Sequence, residues 1–224
     1  MQSWAREVLA DPLTVVFDTE TTRLYGAIVE ASVVDRDRRV MFSSRVDPRE
    51  PIWPQATAVH GIRDQDVAGV ADPFAAVWPR LREALEGRRI IAYNMPYDRS
   101  VLASELHRMH RAADRGPVRR RAWSCWDVVL RSVVRAGGRP WPGAAVVRGS
   151  DARQAAVAAV HPAAAQWVDS QAWECAMRPF AEWTGVPSSS PERRWRNQRL
   201  PGGDHTSAGD CRAVWDLLER LARG

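Results

Sequence analysis

The sequence predicts an α/β fold, and three observations carry that prediction. Three strand-like runs follow one another near the start with only short polar breaks between them, the pattern of an antiparallel meander. A helix-period segment then leads straight into a fourth strand-like run, which requires a crossover back onto the same sheet. The chain has 224 residues, enough for one substantial core and short for two, so a single domain of 1–224 is expected, with one insertion at about 111–166.

The elements follow in order. LTVVFDTE (13–20), AIVEASVVD (27–35) and RRVMFSSRV (38–46) are the meander. Pro51 and Pro54 then break regular structure before a short helix at about 55–59 that Gly61 stops. From 73 to 85, Phe74, Val77, Leu81 and Leu85 recur at helical spacing, and RRIIAYN (88–94) after Gly87 is the fourth strand. A second amphipathic helix spans 98–109, with Val101, Leu102, Leu106 and Met109 on one stripe. A last one spans 207–222, with Val214, Leu217, Leu218 and Leu221. Between 111 and 170 the pattern is mixed: an Arg cluster, several Trp, Gly-Pro breaks and an Ala-rich stretch that fits a short helix near 151–160. AWSC (122–125) and AWEC (172–175) echo each other, but the similarity fades on either side and is treated as chance.

Composition narrows the function only slightly. Apolar residues make up 45% and charged residues 26%, ordinary for a soluble globular protein. The net charge is +5 and every basic residue is arginine, whose planar fork grips phosphate in two places, so nucleic acid is a reasonable partner; GC-rich coding accounts for the same bias. No run approaches the roughly 18 apolar residues of a membrane helix, and residues 1–10 lack a signal peptide's apolar middle, so a cytoplasmic protein with no membrane partner is expected. Cys125, Cys175 and Cys211 show no close paired spacing and are expected as reduced, mostly buried thiols.

The chemistry concentrates in carboxylates at element ends. Asp18 and Glu20 are two apart on the first strand, so they share a face at the edge of the core. Asp98 precedes Val101 and Leu102 by three and four positions, and Asp210 precedes Val214 by four, so both head inward stripes. Carboxylates at the edge of a low-dielectric core are costly unless paired. Divalent cations, Mg2+ or Mn2+, resolve that cost by accepting several hard oxygen ligands. Each acid also has a plainer reading: Asp98 as a helix cap, Asp210 paired with an arginine, Asp18 and Glu20 in a solvated turn. The coincidence of four favours a site. His205 lies five before Asp210 in a loop after LPGG, where a lone histidine is usually a surface residue; its spacing to Asp210, together with the resemblance given next, makes it a candidate to take a proton from water.

FDTETT (17–22), IAYNMPYD (91–98) and HTSAGD (205–210), in that order and at suitable intervals, resemble the three motifs of the DEDDh 3'-5' exonucleases, the DnaQ-like family of the polymerase proofreading subunit. Residues 51–67, WECAM and 195–211 are similar to further segments of the family, and the likeness covers roughly 13–110 and 167–222. The resemblance implies a ribonuclease H-like fold, a five-stranded mixed sheet flanked by helices, with the last strand near 166–170 and a helix over 172–185. It implies Asp18, Glu20, Asp98 and Asp210 as ligands of two metal ions, His205 as general base, and Thr21 and Thr22 beside the terminal nucleotide. The implied activity is release of mononucleotides from single-stranded 3' ends, with DNA preferred. Trimming of RNA 3' ends, or a non-catalytic nucleic-acid-binding module on the same fold, are the alternatives, and a two-carboxylate glycosidase leaves Asp98, Asp210 and His205 without work. A polymerase or repair partner is unidentified.

Several positions depart from the family pattern. Arg23 stands where glycine is usual, placed to grip phosphate or narrow the entrance; Tyr97 replaces Phe; Ser207 replaces Ala and is a candidate cap for the last helix. His60, in AVHGI, is expected to be structural. Arg119, Arg120 and Arg121 beside Trp123 and Trp126 offer charge plus stacking for a strand, against the plainer readings of solvated face and core.

Overall fold

The computed structural model describes residues 1–114 and 161–224. Its centre is a sheet of order β3-β2-β1-β4-β5. β1 (Thr14–Thr21), β2 (Ile28–Asp35) and β3 (Val40–Arg45) form the antiparallel meander. β4 (Arg89–Ala92) joins β1 in parallel, Val16 opposite Ile91, and β5 (Ala172–Cys175) joins β4 in parallel, Trp173 opposite Ile90. This mixed five-stranded sheet with flanking helices is the ribonuclease H-like architecture expected from the motifs.

The period-two alternation of β1 sorts its side chains between two layers. Val15 and Phe17 pack with Val33 and Phe42 against α4 (Phe74–Leu85) and α5 (Met95–Asp114), through Leu81, Leu85, Leu102 and Leu106. Val16 faces the other way with Val34 and Ile91, against Val8 of α1 (Gln2–Ala10) and Cys211, Val214, Trp215 and Leu218 of α8 (Ser207–Arg223). The Trp215 indole donates to the Val34 carbonyl at 3.2 Å, so a large ring is buried without an orphaned N–H. Asp18 and Glu20 continue the face of Val16, toward α8. Between β3 and α4, α2 (Pro54–His60) ends at Gly61, whose φ of 75° is the left-handed conformation of a helix stop, and α3 (Asp64–Val67) follows.

The expectation for the last strand is corrected. Residues 166–170 are helical, within α6 (Pro162–Ser170), and the strand is AWEC, followed by α7 (Met177–Thr184). Pro162 at the first helical position, His161 accepting from Ala163 N, and Ala164 and Val168 buried four apart make 162–170 a helix. AWEC, four residues long, takes its strand conformation from pairing with β4, a tertiary effect that local pattern does not carry. The α1 helix was not anticipated, and α5 starts three residues earlier and ends five later than expected. Cys211 is buried and Cys175 half-buried, both free thiols. Cys125, the Arg119–Trp126 cluster, the helix near 151–160 and most of the expected insertion lie outside the described residues. Among the described residues no helix is long and apolar enough to cross a membrane.

Candidate active site

The expected site residues come from four elements that meet at one end of the sheet. Glu20, His205 and Asp210 each offer a ligand atom within 4.8 Å of the others'. Asp18 lies beside them, two residues back on β1, and is half-buried. Asp98, in the first turn of α5, is 3% exposed and accepts a hydrogen bond of 2.9 Å from the Thr19 hydroxyl. Thr19 points to the α5 side of β1 while Asp18 and Glu20 point to the α8 side, so this bond ties the α5 carboxylate to the strand that bears the other two.

The loop before α8 is shaped around Asp210. Its Oδ1 accepts from the Asp204 and His205 amides at 2.9 and 3.1 Å, which holds His205 at φ 61°, a left-handed backbone unusual for a residue with a side chain. The Asp204 carboxylate accepts from both Thr206 N and its hydroxyl, and Thr206 caps α8 by accepting from Gly209 N. Two glycines permit this closeness: a Cβ at Gly203 meets Asp210 Oδ1 at 2.9 Å, and one at Gly209 meets Asp204 Oδ1 at 2.0 Å.

Among the described residues, no arginine pairs with Asp18, Glu20, Asp98 or Asp210. Burial and mutual repulsion therefore push all four carboxyls upward. Burial is the largest cause throughout. Glu20 reaches about 8, with Asp210 next in effect. Asp98 reaches about 7 despite the Thr19 hydrogen bond, and Asp18 lies well above the usual range, with Asp98 its strongest charged neighbour. Asp210 is raised less, its two amide donors offsetting burial. A set of hard oxygen donors and one imidazole, held together with no positive partner, fits a divalent cation.

A fifth acid was missed in the sequence. Glu30 is the cross-strand partner of Glu20, adds to the upward push on Asp18 and Glu20, and accepts from Ser207 N and Oγ at 2.9 and 3.0 Å. A carboxylate at the start of α8 suits the helix dipole and fixes where Asp210 sits. The signal was available, since Glu30 is a charged residue set between the apolar residues Val29 and Ala31 of β2. Ser207 is correspondingly not the cap: it is the first helical residue, fully buried, and its hydroxyl also meets Ser32 Oγ at 2.7 Å.

The other expected contacts resolve as follows. Thr21 is buried and bonded to the Tyr97 hydroxyl at 2.7 Å, and Thr22 is fully buried against Glu50. Arg23 is already engaged: it pairs with Glu50 at 3.0 Å and lies over the Trp53 ring. Glu50 also accepts from the Thr22 hydroxyl and Ala27 N, and these bonds hold its carboxyl below the usual range. Arg23 thus closes the β1–β2 turn. The His60 ring bridges Thr21 O and Ile62 N, a structural placement.

Comparison with known proteins agrees with this architecture. The family model described as Exonuclease (RNase T) matches residues 15–127. An uncharacterised exonuclease of Escherichia phage 186 is 32% identical over 225 aligned positions, covering 94% of this chain and 88% of the relative. A DNA polymerase III subunit epsilon-like protein of Rhodobacter capsulatus is 40% identical over 111 residues, 45% of this chain. The chain spans only 16% of that relative's length. Among solved structures, Exonuclease X in complex with 5' overhanging duplex DNA superposes with a TM-score of 0.50 at 21% identity, covering 94% of this chain and 91% of that one. Escherichia coli Exonuclease I in complex with an oligonucleotide gives 0.53 at 12% identity, covering 94% and 42%.

Proposed function

The chain belongs to the DnaQ-like 3'-5' exonuclease family, and from that premise we propose that it hydrolyses the terminal phosphodiester of single-stranded nucleic acid, DNA in preference to RNA, releasing mononucleotides. The observation that carries the reading is the convergence of Glu20, His205 and Asp210 within 4.8 Å, beside Asp18 and Asp98. Asp18, Glu20, Asp98 and Asp210 would hold two divalent cations, Mg2+ or Mn2+, which supply charge neutralisation at the attacking and leaving oxygens.

The protein's own groups do the rest. His205, exposed at the rim and fixed in backbone by Asp210, takes the proton from the attacking water. Asp210 orients that base through the His205 amide as well as contributing a ligand. The Thr21–Thr22 segment, with Arg23 locked to Glu50, forms the rigid wall beside which the terminal nucleotide lies. The preference for DNA is supported by the polymerase III epsilon-like relative. The whole of 1–224 is read as a single exonuclease domain carrying an insertion at about 111–166.

The test is one gel. Purified protein is incubated with 5'-labelled single-stranded DNA and RNA of equal sequence, with magnesium, manganese or chelator, beside Asp18→Ala. A metal-dependent ladder shortening from the 3' end, stronger on DNA and absent in the variant, is expected. Equal cleavage by Asp18→Ala refutes the site, and a ladder on RNA alone refutes the substrate.

A further inference from the structure

Between α7 and the loop bearing His205, residues 186–200 hold four arginines, Arg193, Arg194, Arg196 and Arg199, against one acid, Glu192. All four arginines are exposed, and among the described residues none makes an ion pair. Single exposed arginines elsewhere, such as Arg63, Arg80, Arg111 and Arg178, also make no ion pair among the described residues; what sets this segment apart is that four such arginines fall within residues 193–199. With Glu192 the one acid of residues 186–200, positive charge is concentrated here with little local compensation among the described residues.

The segment is also built rather than slack. Pro187 and Trp195 form a β-bridge, Ser188 N donates to Arg194 O at 3.1 Å, and Arg196 N donates to Val186 O at 2.8 Å. The Tyr93 hydroxyl donates to Gln198 O at 2.7 Å, which pins the far end to the residue that follows β4. Trp195 is half-buried beneath Arg194, whose guanidinium lies 4.8 Å from the ring centroid. From there the chain runs through Leu200 and Gly203 directly to Asp210. A hydrogen-bonded segment whose four arginines make no ion pair among the described residues therefore leads along the chain into the loop that carries His205 and Asp210.

We infer that the 186–200 hairpin grips the phosphate backbone of a nucleic-acid strand upstream of the end held in the site, acting as a separate binding surface for phosphodiester polyanion. This rests on the exonuclease reading for its direction, and the experiment separates the two. Binding of fluorescein-labelled oligothymidylate and oligouridylate is followed by anisotropy in chelator, where no cleavage occurs, across a salt series. The variants are a quadruple Arg→Gln at 193, 194, 196 and 199 and the matching quadruple Arg→Lys. Hydrolysis of the p-nitrophenyl ester of thymidine 5'-monophosphate with manganese reports the active site alone.

Each lost phosphate contact lowers the slope of log affinity against log salt by about 0.7, so the Gln variant is expected to lose roughly 2 to 3 units of slope. Its affinity falls at least tenfold at low salt, the Lys variant keeps most of the slope, and ester hydrolysis is unchanged in both. The two oligonucleotides decide whether the grip extends to RNA. A slope change smaller than one contact's worth, an equal loss in the Lys variant, or loss of ester hydrolysis in the Gln variant overturns the inference. A wild-type protein that binds strands but never hydrolyses the ester refutes the exonuclease reading and leaves the binding surface standing.

Discussion

Replacing Glu20 by Gln should make the metal-free protein more stable while abolishing its response to metal. Burial and the charges of Asp210 and Glu30 raise the Glu20 carboxyl from 4.5 to about 8. Near pH 8 the folded state thus retains a proton that the unfolded chain releases, and the linkage sets an upper bound of about 4 kcal/mol on the cost to folding. Solvent access and relaxation reduce that, and the amide must find its own partners, so a net gain of about 1–2 kcal/mol is expected. Near pH 5 the wild-type carboxyl is already protonated in the fold, and the two proteins should be nearly equal. The assay is urea unfolding in chelator at both pH values, followed by the fluorescence of the 11 tryptophans. Added magnesium should raise the wild-type midpoint and leave the variant's unmoved. A Gln variant less stable than wild type near pH 8 refutes the claim that like charges are held together at a cost.

The same logic gives a pH profile. The four acids have raised folded values, so the fold holds more protons than the unfolded chain, and metal-free stability should fall as pH rises from about 5 to about 8; a thermal midpoint that climbs over that window contradicts it. His205→Ala should lower kcat by about 10²- to 10⁴-fold, with manganese affinity by titration calorimetry largely kept, because four carboxylates remain. Gly203→Ala should damage activity more than stability, since the added methyl meets Asp210 Oδ1 at 2.9 Å in a surface loop; unaltered turnover would show that the loop yields freely. Leu218→Ala, fully buried between α8 and the sheet, should cost about 2–5 kcal/mol in urea unfolding.

The meander and the two long amphipathic helices were legible because burial on one face imposes a period, and Val15 to Phe17 or Val214 to Leu221 display it. The four acids stood out because charge at the end of an apolar stripe breaks that pattern, whereas His205, in a loop, was singled out by its spacing to Asp210 and by the resemblance of HTSAGD to the family motif. β5 was misplaced because AWEC is short and nearly patternless alone, becoming a strand only against Ile90 and Ala92. Glu30 was passed over because its meaning depends on two elements remote in sequence, the opposite position on β1 and the start of α8. Arg23 shows the same limit: a free arginine and one locked to Glu50 read identically in one dimension.

The docking of α8 across β1 and β2 has a temporal meaning. Asp18, Glu20 and Asp98 are translated in the first half of the chain, whereas His205 and Asp210 emerge more than a hundred residues later. The sheet face they complete stays uncovered until Val214, Trp215 and Leu218 arrive, a long-range closure that folds slowly and late. A ribosome-bound chain that has not yet reached α8 therefore carries Asp18, Glu20 and Asp98 but neither His205 nor Asp210, and on the proposed reading it would stay inactive until α8 docks.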